Sequence, residues 1–162
     1  MRPITIPHVV LQLVAESGAF IGSTKDGTGV DFGDSETNHV VRRIDGTYGV
    51  EEFQRGRTAG LILRTAEESA LFRFLALVAG DRWRAVAGMD VLMPAPRDLP
   101  PGVAVDTSDW RHCTVRWVEG GAERWAGDLV DHRAADLARA LGYPLDVVVA
   151  AMRDPAGAPV FS

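Results

Sequence analysis

The sequence predicts an α+β domain: a mostly antiparallel β-sheet with helices packed on one side. Three observations predict it. Asp45-Gly46 and Gly120-Gly121 each separate two strand-like runs, and such dipeptides supply the positive φ angles of tight hairpin turns. Connections among the early runs are short, which suits antiparallel neighbours, since parallel ones need a crossover of a dozen residues or more. Finally, apolar residues recur at helical spacing after Thr65 and again after Asp131.

The first element is a helix over Ile6–Glu16, with Thr5 as N-cap and Pro7 tolerated in the first turn. Val9, Val10, Leu13 and Val14 form its apolar stripe, and Gly18 follows as the C′ residue. A β-rich stretch comes next. Ala19-Phe20-Ile21 opens it, a glycine-rich loop spans Gly22–Gly29, and Val30-Asp31-Phe32 resumes the strand pattern. His39–Ile44 and Thr47–Phe53 pair across Asp45-Gly46. Arg55-Gly56-Arg57 makes another turn and leads to Leu61-Ile62-Leu63.

Thr65-Ala66-Glu67-Glu68 reads as a capping box, with Thr65 at the N-cap and Glu68 reaching back. The helix it opens carries Leu71, Phe72, Leu75, Val78 and Ala79, and Gly80 is expected to stop it. Asp81 then caps a short second helix that ends at Gly88. Residues 93–102 hold Pro94, Pro96, Pro100 and Pro101. Proline removes a backbone donor and fixes φ, so this stretch reads as a surface crossing within one domain of residues 1–162. Cys113–Val118 and Glu123–Val130 form the second hairpin, on which Trp117 and Trp125 are expected to share a face. A helix capped by Asp131 and ended by Gly142, then a short helix over Pro144–Met152, complete the chain.

Composition narrows the function. The 162 residues are 46% hydrophobic and 24% charged, an ordinary globular balance. Cys113 is the single cysteine, which rules out an internal disulfide and suits a reducing cytoplasm. The N-terminal stretch is broken by Pro3 and Pro7 and has no signal-peptide pattern. No run reaches the roughly 18 apolar residues of a membrane span. The net charge of −5 argues against nucleic acid, whose binding needs basic surface to displace phosphate counterions, and suits a basic protein partner.

No chemical constellation emerges. His8, His39, His112 and His132 lack metal-ligand spacing, and adjacent His112 and Cys113 on a strand point apart. No metal, cofactor or catalytic residue is therefore expected, and Cys113 reads as a small core hydrophobe. In Gly22–Gly29 the lysine precedes the last glycines and strand signals follow, the wrong order for a phosphate loop. Asp26, Asp31, Asp34 and Glu36 miss the register of a calcium loop and read as a solvated acidic surface.

One resemblance adds to this. A short helix, a glycine-bearing meander, Tyr48-Gly49-Val50-Glu51-Glu52-Phe53-Gln54-Arg55-Gly56, then Leu61-Ile62-Leu63-Arg64-Thr65 and a helix ending Phe74-Leu75-Ala76-Leu77-Val78-Ala79-Gly80-Asp81-Arg82-Trp83-Arg84 resemble immunity family sixty-one of bacterial polymorphic toxin systems. The resemblance covers roughly residues 5–95. It implies a cytoplasmic, non-catalytic, actinobacterial-type protein that binds a cognate toxin domain and blocks its active site. The family's type acts on the tuberculosis necrotizing toxin, an NAD glycohydrolase. The toxin-binding surface is expected at Lys25, Asp26, Asp31, Arg55 and Arg57, on two polar, glycine-hinged turns. Two alternatives remain open: a small ligand-binding or enzymatic domain with a tryptophan-lined pocket between sheet and helices, and a structural interaction module.

Overall fold

The computed structural model describes residues 3–92 and 99–162. The first helix, α1, spans His8–Glu16, and five strands follow: β1 Phe20–Ser23, β2 Gly29–Gly33, β3 Thr37–Ile44, β4 Thr47–Gln54 and β5 Arg57–Thr65. The long helix α2 covers Glu68–Val86, and then come β6 Val103–Asp106, β7 Cys113–Glu119 and β8 Ala122–Leu129. Helices α3, Asp131–Ala140, and α4, Leu145–Arg153, close the fold.

All eight strands form one antiparallel sheet in the order β1-β2-β3-β4-β5-β8-β7-β6. The two hairpin systems join where Arg64 pairs with Gly127 and Thr65 with Ala126. The Thr65 hydroxyl reinforces this seam by donating to the Trp125 carbonyl at 2.8 Å. Val30, Val41, Val50 and Leu63 line up across β2 to β5 and face the helices. Alternate residues, among them Asp31, Arg42, Glu51 and Arg64, occupy the opposite face, as a period of two requires. Helix α2 lies at the centre of the helical layer, buried from Ala70 through Gly80 on almost every side.

Several local expectations are corrected. Gly80 does not end its helix, because α2 runs unbroken to Val86. Its missing side chain serves packing: a methyl at position 80 would lie 2.5 Å from Met152 Cγ and 2.7 Å from Cβ. Thr65 and Glu68 form no capping box. The Thr65 hydroxyl is used at the β8 seam and also accepts from the Glu67 N–H at 3.1 Å, while Glu68 accepts from Tyr48. The residue preceding α1 is Pro7 and that preceding α3 is Val130, neither with a side-chain cap, so Thr5 and Asp131 do not fill that role. Strand β6, not expected from the sequence, pairs with β7. Trp117 lies opposite Arg124 and Trp125 opposite Arg116, so the two tryptophans take opposite faces; Trp117 is the buried one. Of the proline-rich crossing, residues 93–98 lie outside the described residues.

Candidate functional site

Register decides where the expected surface residues fall. Gly29 pairs with Arg42 and Thr37 with Gln54. The β1–β2 loop and the β4–β5 turn therefore sit at opposite ends of the sheet, separated by the length of β3, roughly 25 Å. Lys25 and Asp26 occupy the first end, and Arg55 and Arg57 the second. Asp31 lies between them on the face away from the helices, accepting from Asn38 at 2.9 Å.

Asp26 organises its own loop. Its carboxylate accepts from the Thr24 hydroxyl at 2.6 Å and from the Thr28 N–H and hydroxyl at 3.1 and 2.9 Å. These bonds, the Thr24 one foremost, hold its pKa down at about 2. The Gly22–Gly29 segment is thus a bonded turn built on Thr24 and Asp26. Asp34 behaves alike in the β2–β3 turn. It accepts from the Thr37 and Glu36 N–H groups, both at 2.8 Å, and pairs with Arg82. The Thr37 bond, then Arg82, hold it near 2.

At the Arg55 end the two turns meet. Arg55 adopts a left-handed backbone, φ 50°, unusual for a residue with a side chain. Glu36 holds it twice: its carbonyl accepts from the Arg55 N–H, and its carboxylate from Nε, both at 2.8 Å. Glu36, Thr37, Gln54, Arg55 and Arg57 line a polar groove of about 710 Å³.

Thr37 also lines a second, more enclosed cleft of about 380 Å³ between the sheet and α2. Phe32, Val14, Val78 and Ala79 give it apolar walls, and His39, Glu52, Asp81, Arg82 and Arg133 give it charge. Alternation along β4, in unbroken register with β3, places Glu52 there, opposite His39 and on the same face as Tyr48 and Val50; two register shifts mark the pairing of β4 with β5. They fall on either side of the Glu51-Glu52 pair, leaving Glu52 opposite Gly60, whose φ of +120° suits only glycine. The His39 ring stacks on Phe32 at 5.1 Å, and its Nε2 lies 3.5 Å from Glu52. Burial lowers the His39 pKa; Glu52 opposes this, while Arg133 and Arg82 reinforce it. Arg133 pairs with Asp81 at 2.5 Å.

The sequence reading passed over this cleft because its residues are scattered between positions 14 and 133. Its local trace was the alternation that sets Glu52 on the same face as Tyr48 and Val50. No tryptophan lines the cleft. Among the described residues, no group of three or more His, Cys, Asp or Glu side chains could hold a metal ion. No helix among them is long and apolar enough to cross a membrane.

Asp136, on α3 beside this cluster, is buried and one of its carboxylate oxygens lacks a hydrogen bond. Burial pushes its pKa up to about 6; Arg133 opposes this and Asp81 adds to it. The folded state thus holds the proton more tightly than the unfolded chain. The contribution of Asp136 to stability is greatest below about pH 4, declines as pH rises towards 6, and is fully lost above that. Asp136→Asn is expected to stabilise the protein by about 2 kcal/mol at pH 8 and by nearly nothing at pH 4. Urea denaturation at both values checks this; an equal gain at both would contradict it.

Comparison with known proteins extends the picture. The family model for immunity protein 61 matches residues 13–160, so the match runs through the C-terminal third, well beyond residue 95. The solved structure of Rv3902c from M. tuberculosis has a similar fold, with a TM-score of 0.79 at 16% identity, covering 100% of this chain and 98% of that one. Among curated proteins nothing matches.

Proposed function

The chain belongs to the immunity protein 61 family, and from that premise we propose that it neutralises a cognate toxin by binding the toxin domain and blocking its active site. The family assignment carries the immunity role and the protein partner. The toxin's chemistry is the finer part of the proposal: an NAD glycohydrolase-type enzyme, inhibited in the cytoplasm by a partner that performs no catalysis itself.

Among the five expected contact residues, Arg55 and Arg57 form the centre of the proposed interface. They project where two turns converge, next to both the polar groove and the cleft. Guanidinium groups in such positions recognise carboxylates in a bidentate way. A standard interface covers about 800 Å² per partner, which is wide enough to reach from this end towards Asp31. Lys25 and Asp26, at the far end, would make peripheral contacts.

Co-purification with a candidate cognate toxin domain, followed by assay of toxin activity, tests the function. Loss of toxin activity at stoichiometric protein is expected, and undiminished activity at saturating protein would defeat the proposal. Reversing charge at Arg55 and Arg57 together is expected to weaken binding at least tenfold, about 1.4 kcal/mol. Lys25→Glu should change it far less. Unaltered affinity in the Arg55/Arg57 double variant would move the interface elsewhere.

A further inference from the structure

The cleft between the sheet and α2 has a charge pattern that selects a ligand. Arg133 is matched by Asp81 and Arg82 by Asp34. Glu52 has no such partner among the described residues. It accepts from the Gln54 amide at 2.7 Å and faces the His39 ring. A neutral imidazole facing a carboxylate carries its proton on the nitrogen nearest that carboxylate, here Nε2, which leaves Nδ1 as an acceptor. That Nδ1 atom is buried and has no hydrogen-bond partner, and the residue is only 8% exposed. Buried acceptors without donors are rare and costly. The cleft thus combines one surplus carboxylate, one unfilled acceptor and a stacked Phe32–His39 aromatic wall.

We infer that this cleft is a socket for the guanidinium of an arginine side chain presented by the protein partner. An arginine meets the carboxylate and the aromatic wall together, or the Nδ1 acceptor in a second pose, since a bond to Nδ1 lies in the ring plane and stacking lies over its face. Its planar cation stacks on aromatic faces and pairs with a carboxylate, and its several N–H groups leave donors to spare for an acceptor. Its aliphatic stem lies well against apolar walls, here Val14, Val78 and Ala79. The net charge of −5 favours approach of a basic partner surface. Anionic ligands are disfavoured, since each guanidinium of the cleft already faces a carboxylate, Arg82 keeping only a buried Nε unfilled. That the arginine comes from a toxin rests on the immunity reading above; the preference of the cleft for guanidinium does not.

The test begins with NMR titration of the full chain with N-acetyl-arginine amide, N-acetyl-citrulline amide and N-acetyl-glutamate amide. Citrulline keeps the shape of arginine and lacks its charge. The arginine probe is expected to shift Phe32, His39, Val78 and Ala79 saturably, with citrulline at least tenfold weaker and glutamate without effect. Glu52→Gln should reduce arginine binding to the citrulline level while retaining the wild-type melting temperature. Equal binding of arginine and citrulline, preference for glutamate, or no saturable shift in the cleft would overturn the inference. The toxin then separates the two proposals. Failure of the wild-type protein to bind toxin would defeat the immunity interface. Wild-type binding that Glu52→Gln leaves unchanged would defeat the partner-arginine socket alone, whereas a loss of tenfold or more supports it.

Discussion

Replacing Arg84 with alanine is expected to destabilise the protein by about 4 kcal/mol, lowering its melting temperature by roughly 10 °C. Arg84 sits near the end of α2 and is among the largest fully buried side chains. Among the described residues, no carboxylate pairs with it. Its guanidinium donates to four backbone carbonyls: Asp90 at 2.8 Å, Met152 at 3.2 Å, Asp154 at 2.7 Å and Pro155 at 3.0 Å. Two of these close the C-terminal end of α4, where unsatisfied carbonyls and the helix dipole favour a cation. One side chain thus ties α2, the segment after it and the end of α4 together. Alanine would leave the Met152 carbonyl buried without this donor and the Asp90, Asp154 and Pro155 carbonyls, nearer the surface, short of one, and each buried loss costs about 1–3 kcal/mol. Arg84→Lys retains the charge but not the planar fork, and should recover less than half of the loss. Guanidinium denaturation of the three proteins measures this. A cost below about 1 kcal/mol for Arg84→Ala would mean that water replaces the lost donors.

The second large effect is at Gly80. In an ordinary exposed helix, glycine to alanine gains about 1 kcal/mol. Here the sign is expected to reverse, with Gly80→Ala costing about 2 kcal/mol. The added methyl would fall within 2.7 Å of three Met152 atoms, Cβ, Cγ and Cε. Met152 is 1% exposed, and its Cβ moves only with the α4 backbone. Overpacking of this kind costs about 1–3 kcal/mol. A double-mutant cycle isolates the contact. Met152→Ala alone should cost about 2–5 kcal/mol, and the pair should cost clearly less than the sum, because each change relieves the other. Strict additivity would show that α2 and α4 move apart without strain.

These positions show how far local signals reach. The turns at Asp45-Gly46 and Gly120-Gly121 lie where the sequence places them, and both carry positive φ. The apolar stripe of Val10, Leu13 and Val14 is buried, as helical spacing requires. Each of these features is decided by neighbours a few residues apart, so each is legible in a single sequence. Gly80 is the instructive failure. Local chemistry reads glycine after an apolar run as a helix end, but a contact 72 positions away determines its meaning. Likewise, β6 has only four residues, too few for its alternation to stand out beside prolines.

The candidate site divides in the same way. Polar, glycine-hinged turns at Lys25-Asp26 and Arg55–Arg57 could be read directly, because turn chemistry is local. That they lie at opposite ends of the sheet follows from strand register, which the hairpins propagate strand by strand. Alternation could set Glu52 on one face with Tyr48 and Val50, but the cleft it forms with His39 and Arg133 was beyond the sequence. It depends on the β3–β4 register that sets His39 opposite Glu52, on the stacking of His39 on Phe32, and on an ion pair between Asp81 and Arg133 that spans 52 positions. By itself the sequence determined the α+β class, the hairpins and the polar turns, since propensity, periodicity and turn geometry act over short stretches of chain. Only the tertiary structure decided which charges neutralise one another and which are left over. Ion pairing and burial depend on distance in space, and here that distance is set by how α2 and α3 pack over the sheet.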